Sequence, residues 1–350
     1  MPEFRQNLAT REWVIIAHER RLRPEDFKPP LRGPREPIPH RRADCPFCPG
    51  NESETPPEIL RRPGPEGWSL RVVPNKYAAL DGNDEPRRRH QGRFRRAGGY
   101  GVAEVIIESP RHDLFAAAMH DEEITRVVEA YIERAAAVER ISGINLVTLF
   151  RNFGPLAGTS LEHPHSQLIA TPIVPPHVRD PLQKALDYYD NEGTCVFCDI
   201  LAEELAQEAR IIEANEHFVA FCPFASRSPY EVRIYPRRHN ASLTMVRSGE
   251  ARAFARILRR TLARLRTCLA APNYNYLVRS APVGDEDARH YHWYTLIIPK
   301  VTTPAGFEIG TGIYINVVPP EDAAAHLRSC DPEECRAHRE PAAAGDGGER

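Results

Sequence analysis

The sequence lacks net charge. Lys and Arg total 46 and Asp and Glu total 48, a formal charge of −2 over 350 residues. So even a balance gives no global electrostatic case for nucleic acid or an anionic membrane surface. Long apolar runs are missing too: none approaches the roughly 18 residues of a membrane span. The opening stretch MPEFRQNLATREW has no apolar core of the signal-peptide kind. These absences set the expectation of a cytoplasmic protein with neither membrane nor nucleic acid as partner. In that compartment thiols stay reduced, and paired cysteines read as metal ligands before disulfides.

What is present is a chain of two-domain length, or one large domain. Proline is abundant, 33 residues of 350, close to twice the usual share of about 5%. That argues against long uninterrupted helices and for short strands with frequent turns.

The eight cysteines are Cys45, Cys48, Cys195, Cys198, Cys222, Cys268, Cys330 and Cys335. Two pairs have C-x-x-C spacing, Cys45/Cys48 and Cys195/Cys198. Either could be a redox pair or half of a zinc site. Histidines follow each pair in the same order. His112 and His163 are 51 residues apart, as are His239 and His290. EVIIESPRH (104–112) also lines up with EVRIYPRRH (231–239). The pattern reads as an internal duplication.

Helix periodicity supports it. Ile124, Val127, Val128, Tyr131, Ala135 and Val138 recur at helical spacing behind Asp121 as N-cap. Phe254, Ile257, Leu258, Leu262, Leu265 and Leu269 do so behind Ser248. Around them lie β-rich runs ending at Pro, Gly or Asn: WVIIA, VAEVIIES, NLVTLFRN, HSQLIATPIV, HFVAFC, YEVRIYP, WYTLIIP and YINVV. The expected class is α+β: two tandem halves, each an antiparallel sheet with packed helices. The boundaries are residues 1–180 for a catalytic half and 181–328 for a second, joined near 175–192. Residues 81–99, with six arginines, read as a solvated insertion or a lid, and 329–350 as a disordered tail.

Structural zinc takes four tetrahedral ligands from thiolate and imidazole. Cys45, Cys48, His112 and His163 supply one set; Cys195, Cys198, His239 and His290 supply a second. H-x-H on a strand puts both rings on one face. His165 is then left over beside His163, with Gln167 continuing the face. A neutral imidazole there can be a nucleophile or general base. The preceding stretch RNFGPLAGTSLE carries Asn152, Gly154, Gly158 and Ser160. Its glycines let backbone N–H groups approach a phosphate.

HPHSQ (163–167) behind this Gly/Ser loop, together with CPFCPGNE (45–52), resembles the galactose-1-phosphate uridylyltransferases of the histidine-triad superfamily. The second half, CVFCDILAEE to EVRIYPRRH, is similar to the same repeat. AGFEIGTGIYINVVPPEDAAAHLR (305–328) resembles the ADP-glucose phosphorylase branch. The resemblance spans residues 3–328. It implies ping-pong nucleotidyl transfer between a nucleotide-sugar and a sugar 1-phosphate, with His165 as nucleophile. Gln167 would hydrogen-bond the phosphoryl oxygens, and Ser160 would lie near the leaving phosphate. Asn75, Lys76, Tyr77 and Asn152 match nucleotide-pocket positions, and Arg20 and Arg23 match arginines that meet the phosphates. Some members hold iron at the second metal site; the second Cys2His2 set here implies zinc at both. His292 is aligned with His165, and Tyr294 with Gln167, leaving one nucleophile per chain. A homodimer is also implied. Uridylyl transfer from UDP-glucose is the leading expectation, and the ADP-glucose reaction on the same histidine is the alternative. A non-catalytic two-zinc nucleic-acid module is a third reading, opposed by the charge balance.

Overall fold

The computed structural model describes residues 1–17, 38–65, 67–83 and 86–337. Arg20, Arg23 and the end of the expected tail, residues 338–350, lie outside the described residues.

The chain opens with an antiparallel pair, β1 (Glu3–Gln6) and β2 (Trp13–Ile16). There follow β3 (Leu60–Arg62), β4 (Leu70–Pro74), a hairpin of β5 (Arg88–Gln91) and β6 (Phe94–Ala97), and β7 (Val102–Ile107). Helix α1 (Asp121–Glu139) leads to β8 (Leu146–Phe153) and β9 (His165–Thr171). Helices α2 (Pro176–Glu192) and α3 (Val196–Gln207) precede β10 (Ile211–Ala214), β11 (Phe218–Phe221) and β12 (Val232–Pro236). Helix α4 (Ser248–Cys268), β13 (Tyr274–Arg279), β14 (Tyr294–Pro299), α5 (Gly306–Thr311), β15 (Tyr314–Asn316), α6 (Pro320–Ser329) and the short α7 (Glu334–Ala337) complete the order.

Ten of these strands form one antiparallel sheet in the order β10-β11-β12-β14-β13-β8-β9-β7-β4-β3. The α+β class is as expected, but the two halves do not keep separate sheets. β8 pairs with β13, Phe150 opposite Leu277, and joins them. Left apart, each of these strands would expose an edge of unpaired backbone groups, and pairing removes both edges.

Period-two alternation sorts the side chains of β9. Leu168 and Ala170 enter a core shared with Val127 and Tyr131 of α1 and Ile257 and Leu262 of α4. His165 and Gln167 face the other way. Both long helices start as expected, except that the caps lie one residue earlier. The Glu123 and Glu250 carboxylates accept the backbone N–H of His120 and Arg247. Each thereby satisfies a donor next to the first turn.

Three expectations change. Residues 175–192 are largely helix α2, with Pro175 as N-cap and Gly193 in left-handed conformation as the stop. The arginine-rich insertion holds the hairpin β5–β6 and joins the Val102 end of β7. That end pairs with Ala170, while His165 pairs with Ile107 at the other end. The start of the expected tail is packed: Cys330 forms a disulfide with Cys268 at the end of α4, and Cys335 is buried. Apolar burial and a cross-link hold a segment whose composition reads as solvated. No described helix is long and apolar enough to cross a membrane.

Candidate active site

The first cysteine pair sits on consecutive turns, where the Cys48 N–H donates to the Cys45 carbonyl. The turns bring both thiols to His112, which follows β7, and to His163, just ahead of β9. Cys48 Sγ lies 3.5 Å from His112 Nδ1 and 3.6 Å from His163 Nδ1. Cys45 Sγ lies 3.7 Å from His163 Nδ1, and the two Nδ1 atoms are 3.3 Å apart. A tetrahedral zinc with Zn–S near 2.3 Å and Zn–N near 2.0–2.1 Å would set S···N at about 3.6 Å and N···N at about 3.3 Å. The four side chains are all buried and therefore fit such an ion. His163 Nε2 donates to the Ser109 carbonyl at 2.8 Å, which leaves Nδ1 with its lone pair toward the cluster. Burial pushes the His163 pKa down to about 3, so the ring is neutral and ready to ligate. Burial raises the Cys45 thiol to about 11, a cost that a bound cation reverses.

The second cluster is Cys195, Cys198, His239 and His292. Cys198 Sγ lies 3.3 Å from His239 Nδ1 and 3.4 Å from His292 Nδ1. This corrects the expected ligand His290, which contributes only a backbone carbonyl facing Cys195 Sγ at 3.7 Å. The reason is the anchoring carbonyl. His292 Nε2 bonds Pro236 O at 2.9 Å, as His163 Nε2 bonds Ser109 O. Pro236 and Ser109 each stand three residues before the second ligand, His239 and His112. The equal spacing of 51 selected the wrong histidine of R-H-Y-H because the later loop is two residues longer. It follows that Tyr294, not His292, stands two residues past the ligand, as His165 does. The glutamine position falls on Leu296. In this cluster the Cys195 thiol is lowered by its hydrogen bond from Cys198, and His239 is raised by its bond to Cys195.

His165 opens β9 and is 9% exposed. Its Nδ1 lies 2.8 Å from the His163 carbonyl. A carbonyl can only accept, so Nδ1 carries the proton and Nε2 keeps the lone pair. Burial lowers its pKa and favours the neutral ring. Phe47, between Cys45 and Cys48, meets the ring edge-on at 5.5 Å between centroids. The C-x-x-C turn therefore shapes the Cys/His cluster and also walls the neighbouring imidazole.

His165 and Gln167 line a cavity of about 570 Å³ together with Ser160, Asn75, Lys76 and Tyr77. Six expected site residues thus share one space. Asn152 does not join them; its Oδ1 accepts from Asn275 Nδ2 at 2.8 Å across the β8–β13 seam. Phe47, Asn51 and Thr55 also line the cavity and were not expected. Asn51 stands in the CPGN turn, which the motif itself marks.

Behind the strand, Ser166 Oγ donates to Glu108 Oε1 at 2.8 Å, and the Tyr131 hydroxyl reaches both. Arg151 pairs with the other oxygen of Glu108. These buried groups hold the back of β9 in register. The loop before it turns at Gly154, φ 84°, where an added Cβ would lie 1.9 Å from Asn273 Oδ1.

A family model described as galactose-1-phosphate uridyl transferase, N-terminal domain, matches residues 1–175. A second, a domain of unknown function, matches 114–337. An ADP-glucose phosphorylase of Arabidopsis thaliana is 35% identical over 93% of this chain and 92% of its own length. A galactose-1-phosphate uridylyltransferase of Thermotoga maritima is 30% identical over 95% and 100%. Among solved structures, the Arabidopsis thaliana ADP-glucose phosphorylase with bound ADP-glucose superposes with a TM-score of 0.80, at 32% identity, over 95% of this chain and 99% of that one. A uridylyltransferase structure gives 0.74 at 28% identity, over 96% and 99%. These relatives make the chain a nucleotidyltransferase enzyme. The chain belongs to the galactose-1-phosphate uridylyltransferase family and acts in hexose 1-phosphate nucleotidyl transfer.

Proposed function

We propose that the chain exchanges a nucleotidyl group between a nucleotide-sugar and a phosphate-bearing acceptor through a covalent nucleotidyl-His165 intermediate. The observation that carries this reading is the fixed tautomer of His165, whose Nε2 lone pair is left for the cavity. Nε2 attacks the α-phosphorus, an N–P bond forms, and the P–O bond to hexose 1-phosphate breaks. The leaving phosphate needs little protonation, so Gln167 serves as a hydrogen-bond donor to the phosphoryl oxygens where a general acid is not required. The acceptor phosphate then attacks the same phosphorus and frees His165. Ser160 lies near the leaving phosphate, while Asn75, Lys76 and Tyr77 line the nucleotide side.

UDP-glucose with a hexose 1-phosphate is the leading substrate pair. ADP-glucose is the second reading, favoured by the 35% identity to the phosphorylase against 30% to the uridylyltransferase. Both use the same histidine. Zinc would occupy both Cys/His clusters. In the first it would tie the C-x-x-C turn to β9 and so hold His165 in place; it supplies folding energy and no reacting group. The chain is read as two duplicated halves, 1–180 and 181–328, with chemistry in the first only, and as a homodimer. Isotope exchange tests the mechanism. Labelled glucose 1-phosphate should enter UDP-glucose or ADP-glucose with no other acceptor present. A reaction that needs both substrates at once, with no exchange, would contradict it.

A further inference from the structure

A second cavity, of about 250 Å³, opens on the face of the sheet opposite α1 and α4, bordered by Tyr294 and Leu296 of β14. These residues follow His292 at the spacing by which His165 and Gln167 follow His163. Tyr294 stands where His165 stands in the first half, so the strand position itself offers no imidazole; His177, near the start of α2, is the histidine that lines the space. Cations nonetheless outnumber carboxylates in its lining.

Four cations, Arg227, Arg233, Arg279 and Lys300, line it against two carboxylates, Glu231 and Glu308. Arg227 is paired with Glu12. The Glu308 oxygens are taken by the backbone N–H groups of Ala305 and Ile315. Arg233 is 6% exposed, reaches Glu231 only at 3.3 Å and Tyr235 only at 3.4 Å, and leaves its Nε without a partner. Arg279 and Lys300 make no side-chain hydrogen bond or ion pair among the described residues. A buried guanidinium with an unmet donor is costly unless an anion completes it. Two further uncompensated cations beside it match the charge of a phosphate dianion, and guanidinium groups suit its oxygens. The volume is below the roughly 300–1,000 Å³ of sites for drug-sized ligands, which selects a small ligand over a whole nucleotide-sugar.

We propose that this cavity is a second, non-catalytic anion site, which takes inorganic phosphate or a small phosphate monoester on Arg233, Arg279 and Lys300. It stands independently of the role given to His165.

Site-resolved acetylation of Lys300 in the full chain tests it, read by peptide mass spectrometry under a limiting acylating reagent. Inorganic phosphate at about ten times its Kd should slow Lys300 acetylation roughly tenfold, in proportion to occupancy. Protection should vanish in Arg279→Ala, a half-buried position whose loss spares the core. It should persist in His165→Ala, which separates this cavity from the first. Glycerol 3-phosphate, run in parallel, identifies an ester as the ligand if it protects where phosphate does not. No protection by either compound, or equal protection in Arg279→Ala, would overturn the proposal. So would loss of protection in His165→Ala.

Discussion

His165 Nδ1 lies 2.8 Å from the backbone carbonyl of His163, the residue two positions back that faces the metal cluster. One strand start therefore carries a member of the Cys/His cluster and the proposed nucleophile, and the carbonyl of the first sets the tautomer of the second. Replacing His165 by Ala should cost at least about 10³-fold in turnover, as loss of a nucleophile does. Metal content should be unchanged. Metal loss together with activity would make His165 a ligand instead.

The second cluster gives a sharper test, because two neighbouring histidines compete for one role. His292→Ala should lose one metal equivalent and lower thermal stability. His290→Ala should retain both equivalents. Metal analysis of the two purified variants decides, and the reverse result would restore the choice that sequence spacing favours.

Much of this site is legible in the sequence. The two C-x-x-C pairs, His112, His163 and His239, and the shared face of His165 and Gln167 follow from motif and period, and the place of Ser160 beside them from the family resemblance. The strands that were missed are instructive. YNYLVR, now β13, alternates weakly and gains its place from pairing with both β8 and β14. PHVRDPLQKALDYYDNE lies in the stretch read only as the join between halves, yet it forms α2, with Pro176 at the first helical position, where no N–H is needed. His290 was favoured over His292 because ligand choice depends on which ring reaches a fixed carbonyl, and that is a tertiary fact. The Cys268–Cys330 disulfide joins residues 62 apart in sequence, a pairing that no local pattern marks.

The Gly154 turn should resist substitution. Gly154→Ala places a methyl group against Asn273 in a backbone region that costs about 1–3 kcal/mol for a side chain. The loop bearing Ser160 would shift. Chemical denaturation should show the loss, with a rise in KM for the nucleotide-sugar. Unchanged stability would mean that the turn relaxes freely.

Glu139 gives a pH signature. Burial, with the like charge of Glu286, raises its carboxyl from an ordinary 4.5 to about 7. Between these values the folded chain holds a proton that the unfolded chain has released. Stability contributed by this group therefore falls as pH rises from 4.5 to 7, and the penalty is complete above 7. Glu139→Gln should raise Tm at pH 8 by about 2 °C or more and leave it unchanged at pH 4. An equal effect at both pH values would sink this assignment.

The central claim is a covalent bond at His165 Nε2. Intact-protein mass, recorded within seconds of mixing the enzyme with UDP-glucose or ADP-glucose and no acceptor, tests it directly. The predicted result is one uridylyl or adenylyl increment per chain, mapped to the peptide holding His165 and removed by hexose 1-phosphate or inorganic phosphate. Turnover with no increment at any time point, or an increment that persists in His165→Ala, would contradict the account.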